Sequence, residues 1–62
     1  MYTLKLWTDS MGSFTQPGCR DLEDALWHVN KAREHDGLHP LSMDDFEILV
    51  LKGKAKFVPE RH

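Results

Sequence analysis

Apolar and polar residues alternate from the first residues of the chain. In YTLKLW, Tyr2, Leu4 and Leu6 point one way while Thr3, Lys5 and Trp7 point the other, which predicts a β-strand. TDSMGSFTQPG is rich in turn formers. It predicts a hairpin tip at Gly12 and a short second strand over Ser13 to Gln16, stopped by Pro17 and Gly18.

The period then changes. At ~100° per residue, Leu22, Ala25, Leu26, Val29 and Ala32 fall on one stripe of DLEDALWHVNKAREHDG, the signature of an amphipathic helix. Asp21 is a good N-cap, and Glu23 and Asp24 suit the positive end of the helix dipole. Gly37 supplies a left-handed C-terminal turn, and Pro40 forbids a restart. LSMDD is a polar connector in which Ser42 and Asp45 are spaced to cap a short helical turn.

FEILVLKGKAKFV returns to alternation. Phe46, Ile48 and Val50 share one side, and Glu47, Leu49 and Leu51 the other. Lys52-Gly53 reads as a two-residue turn, and Lys54 to Val58 as the returning strand, ended by Pro59. The expected fold is α+β, a single small domain over residues 1–62. It has an antiparallel sheet of three to four strands and one helix packed on one face, in the order β-(β)-α-β-β.

One helix covers one sheet face. If that face takes Leu4, Leu6, Ile48, Val50, Ala55 and Phe57, the other carries Lys5, Trp7, Glu47, Leu49, Leu51, Lys54, Lys56 and Val58. Apolar residues ringed by lysines mark a partner or dimer surface. The plainer alternative is that the loop around Met11 and Phe14 folds over this face. A register slip of one residue would exchange the two faces. On the helix, Trp27 lies about 160° from the apolar stripe, so it is expected to be partly exposed, either as a contact residue or packed on that same loop.

Composition narrows the function classes. The chain has 62 residues, 40% hydrophobic and 29% charged, with a net charge of −2. It is expected to bury only roughly 60% of its unfolded surface. The near-neutral charge argues against a nucleic-acid scaffold. The charge is uneven: Arg20 to Glu47 holds three basic and eight acidic residues, whereas Ile48 to His62 holds four basic residues against one acid. With a single cysteine, Cys19, no internal disulfide can form, and a reducing cytoplasm is the expected setting. No apolar stretch suggests a signal peptide or a membrane span. The chain opens on Met1 without an evident tag, which reads as a complete small gene product. Free-standing proteins of this size are common among bacteriophage and mobile-element accessory genes.

Chemistry-bearing residues are few. His28, His35 and His39 fall within HVNKAREHDGLHP, but His28 and His35 are seven apart on a helix, about 10 Å along its axis, where paired ligands come four apart. Gly37 separates His35 from His39. No metal site is expected, and His35 suits the negative helix end. Cys19 precedes the helix N-terminus beside Arg20, which would favour a thiolate, yet no histidine lies near it in sequence, and the favoured reading is a small, partly buried residue at a turn. Glu23-Asp24 and Asp44-Asp45 read as solvated acids. No catalytic residues and no cofactor are expected, and the chain is not expected to be an enzyme.

Gln16-Pro17-Gly18-Cys19 followed by Leu22-Glu23-Asp24-Ala25-Leu26 resembles the HicB-type antitoxin pattern, in which a P-G-C turn precedes a helix with an L-E-E-A-L-like start. In that family several residues separate the two pieces; here only Arg20 and Asp21 do. The layout is also similar to very small phage proteins that bind and inhibit host enzymes. That likeness is architectural, and fold does not fix function.

The expectation is a non-enzymatic protein-binding module. Its partner is another protein, a host protein if the gene is viral, or a second copy of itself. Trp7, Trp27, Leu49, Leu51 and Val58 are the expected anchors, and Lys5, Lys54 and Lys56 set orientation. Single-stranded nucleic acid is the less favoured ligand, because Leu49 and Leu51 would occupy the centre of the face and only one aromatic is available there.

Overall fold

The computed structural model of the chain describes residues 1–60, so Arg61, counted in the basic C-terminal segment, lies outside the described residues. Two strands, two helices and a third strand follow in order: β1 (Tyr2–Thr8), β2 (Gly12–Cys19), α1 (Leu22–His35), α2 (Met43–Leu51) and β3 (Ala55–Pro59). The sheet is antiparallel with order β2-β1-β3, so β1 is central and β3 returns along its other edge. The α+β class and the three-stranded antiparallel sheet agree with the pattern of the chain. The helix count and the element order do not.

β2 is longer than expected, reaching through Pro17 and Gly18 to Cys19. It is an edge strand, so the missing Pro17 amide costs no ladder bond. The register slips between Leu4↔Gln16 and Tyr2↔Cys19, where Pro17 and Gly18 stand opposite the single residue Thr3. Gly18 accommodates this bulge with φ +73°, a region that side chains with a Cβ disfavour.

α1 has the predicted ends. The Asp21 side chain accepts a 2.8 Å bond from the Asp24 amide. At the other end Gly37 donates to the Glu34 carbonyl and Leu38 to the Arg33 carbonyl, the paired bonds of a Schellman turn.

The main correction is at Phe46 to Leu51, which is not a strand. The segment is the body of α2, and Lys52-Gly53 is not a hairpin turn. Ser42 caps the helix, its hydroxyl accepting from the Asp45 amide at 3.1 Å. Gly53 then donates to Val50 and Lys54 to Leu49, a second Schellman turn. A short apolar run satisfies either period. Burial decides here: as a helix the segment drives Phe46 wholly into the core, edge-on to Phe57 at 6.3 Å.

α1 lies against β2, α2 against β3, and the two helices touch. Leu4, Leu6, Cys19, Ala25, Val29, Phe46 and Ala55 form one buried cluster on this covered face. Asn30 fastens the connection between the helices. Its side chain donates to the Leu41 carbonyl at 3.0 Å and accepts from the Leu41 amide at 2.8 Å. Among the described residues no helix is long and apolar enough to cross a membrane.

Candidate partner-binding surface

Strand alternation and register together define the second sheet face. Residues directly opposite across an antiparallel pair share a face. Leu4 faces Phe57 and Leu6 faces Ala55 on the covered side. Lys5 therefore stands opposite Lys56, and Thr3 opposite Val58, on the open side. Trp7 pairs with Ser13, and Lys5 with Thr15, toward β2. Phe14 pairs with Leu6 on the covered side, and Met11 packs against the core. The Met11–Phe14 loop thus does not cover the open face.

The open face is polarised along the strands. One end holds Trp7, Lys5, Lys54 and Lys56 around a shallow hollow floored by Ser13 and Thr15. Trp7 is 46% exposed, and the Lys54 ammonium sits 5.4 Å from its ring centroid, a cation–π distance. The Trp7 amide donates to the Lys54 carbonyl at 2.9 Å, which ties the turn after α2 to the tryptophan. Among the described residues none of these lysines is in an ion pair. The other end holds Val58 and Glu60. A Glu60 oxygen accepts from the Gly18 amide at 2.7 Å and from the Thr3 hydroxyl at 3.3 Å, which pins the bulge to the end of β3.

Of the predicted anchors, Lys5, Trp7, Lys54, Lys56 and Val58 thus share one face. Leu49 and Leu51 do not belong to it. Leu49 is partly buried against the core, and Leu51 stands 86% exposed on α2, because the segment is helical. Trp27 lies apart on α1, 55% exposed, with the Lys31 ammonium 5.5 Å from its ring and His28 edge-on at 5.0 Å. Beside it, Asp24 accepts from the Arg20 amide and lies 3.7 Å from His28. The exposed Ile48 was not among the anchors; read as a strand, it falls on the covered face.

Cys19 follows its favoured reading as a small packed residue, and is buried more deeply than expected. Its thiol pKa is pushed up from 9.0, chiefly by burial. The Leu4 backbone contact opposes the rise, while the Asp24 and Glu60 carboxylates add to it. Adjacent Arg20 does not offset this, so the thiolate is disfavoured. His35 is exposed in the last turn of α1. Among the described residues no three His, Cys, Asp or Glu side chains come together as a metal site.

No family model matches the chain, and no curated protein and no solved structure matches it.

Proposed function

We propose that this chain is a small non-enzymatic binding module that docks the Trp7 end of its open sheet face on an acidic surface of another protein. The observation that carries this is the Lys5–Lys56 pair. Like charges directly opposite on adjacent strands are destabilising. A lysine on an edge strand such as β3 guards against edge-to-edge pairing, but Lys5 is on the central strand and has no such use. A partner's carboxylates between the two lysines would remove the repulsion. Trp7 supplies a rigid apolar anchor beside them, and the three lysines raise the rate of encounter and fix the register. Trp27 is a second contact candidate on a separate surface.

The test is affinity capture from a cell extract with the tagged chain, run in parallel with Trp7→Ala and Lys5→Glu. A protein retained by the unaltered chain and lost by both variants is the expected result. An identical set of captured proteins from all three overturns the proposal. Both substituted side chains are exposed, so thermal melts are expected to show all three chains folded.

A second reading is single-stranded nucleic acid. The specific observation is that Leu49 and Leu51 are absent from the face, which leaves Trp7 among three lysines on an open sheet. A fluorescence titration with an oligonucleotide, in a Trp27→Phe background, separates the readings. Nucleic-acid binding requires affinity to fall with salt at a log–log slope of about −2 for three lysine contacts; a flat response removes it.

A further inference from the structure

We infer that α2 is a self-recognition element: two copies of the chain pair their α2 helices antiparallel about a two-fold axis at Ile48. Phe46 turns one side of this nine-residue helix into the core. The opposite side presents Ile48, 46% exposed, and Leu51, 86% exposed. At ~100° per residue, Asp44, Asp45, Ile48, Leu51 and Lys52 fall within about 60° of the direction in which Ile48 points. Leu51 borders a mostly apolar hollow lined also by Leu22, Glu47 and Val50.

The charges select the occupant. α2 carries Asp44 and Asp45 in its first turn and has no basic residue in its last turn; Lys52 follows as its C-cap. None of these three is in an ion pair among the described residues. Ile48 lies four residues after Asp44 and four before Lys52. Antiparallel pairing at Ile48 therefore sets each copy's Lys52 level with the other's Asp44 and Asp45, roughly 6 Å along the axis on either side. Parallel pairing would set acid against acid. A two-fold axis uses this patch twice, so one chain supplies both halves of every ion pair. Ile48 of both copies meets at the axis, and Leu51, roughly 4.5 Å along the helix from it, packs beside each charged end. The helix dipoles also run antiparallel, each C-terminus beside the partner's N-terminus. The pairing leaves the Trp7 face free, so it stands independently of the proposed function.

One short helix per copy buries less than the roughly 1,200 Å² low end of stable interfaces, so a dissociation constant on the order of hundreds of micromolar is expected. Sedimentation equilibrium at low salt, from tens of micromolar to millimolar protein, tests the inference. The unaltered chain is expected to shift from monomer to dimer across that range. Leu51→Glu is expected to stay monomeric, with an unchanged thermal midpoint when dilute because Leu51 is exposed. Lys52→Glu is expected to weaken association about tenfold. A mixture of Lys52→Glu and Asp44→Lys chains is expected to associate more tightly than either alone, since the mixed pair regains opposite charges. A chain that is monomeric throughout overturns the inference. So does a dimer that survives Leu51→Glu, or one lost on Trp7→Ala, which would put the second copy on the sheet face.

Discussion

The two faces of the sheet are built from the same three strands, with opposite energetic logic. On the covered face Leu4 and Leu6 meet Phe57 and Ala55 across β1–β3 and lie under Phe46, Ala25 and Val29. Every contact there removes apolar surface from water. One residue along, on the open face, Lys5 meets Lys56, and Trp7 stands half-exposed beside Lys54. Those contacts stabilise the fold little, and the facing lysines oppose it. A 62-residue chain has little stability to spare. Residues that work against the fold, gathered at one end of one face, fit a function directed outward, whereas the covered face is accounted for by stability alone.

The contrast is sharpest at Phe46, which packs onto the covered face from α2, and Trp7 on the open face. Phe46→Ala is expected to cost about 3–5 kcal/mol, enough to unfold much of the population, as read by circular dichroism. Trp7→Ala is expected to change stability by less than about 1 kcal/mol while removing partner binding. Comparable losses of stability from the two substitutions would break the comparison.

Asn30 tests how the covering layer is held. Its paired bonds to Leu41 anchor the segment that leads into α2. Asn30→Ala leaves both Leu41 backbone groups without these partners and is expected to cost about 1–3 kcal/mol in a denaturant titration. A smaller step is Ser42→Ala, which deletes the α2 cap and is expected to cost about 1 kcal/mol. Hydrogen exchange is expected to speed most in the first turn of α2, leaving the β1–β2 ladder little changed.

The smallest effect is a pH response at Cys19. Its folded pKa is raised above 9.0 by burial, so the folded state holds the thiol proton at pH values where the unfolded state has lost it. Below about pH 9 both states are protonated and Cys19 contributes no pH dependence. As pH rises past the unfolded value, stability falls until the folded value is reached. Cys19→Ala is expected to flatten that part of the stability curve, and thiol labelling of the folded chain is expected to be slow.

Legibility in the sequence followed how locally each element is determined. α1 could be read because its stripe has the helical period and its ends are marked by Asp21 and Gly37. The five open-face residues on β1, β3 and the turn between α2 and β3 could be grouped because strand alternation is strict. α2 could not be read from periodicity alone, since Phe46 to Leu51 alternates acceptably as a strand and Lys52-Gly53 suits a hairpin or a helix end. The cap at Ser42 and Asp45 was the local signal for the helix; its full length depends on Phe46 meeting Phe57, a contact across the sheet. The end of β2 depends on its edge position and its bulge, which no stop signal encodes. Nothing in the sequence singles out Asn30, because its partner is a backbone group eleven residues away.

The proposed outward role of the open face can be tested most directly with a captured partner and calorimetry of the unaltered chain and Trp7→Ala at low and high salt. Loss of Trp7 is expected to weaken binding by about 30-fold or more, the scale of an anchoring aromatic. Affinity of the unaltered chain is expected to fall as salt rises, since Lys5, Lys54 and Lys56 would meet acidic groups. Equal affinity of the two chains, at either salt concentration, would contradict the assignment of the open sheet face as the binding surface.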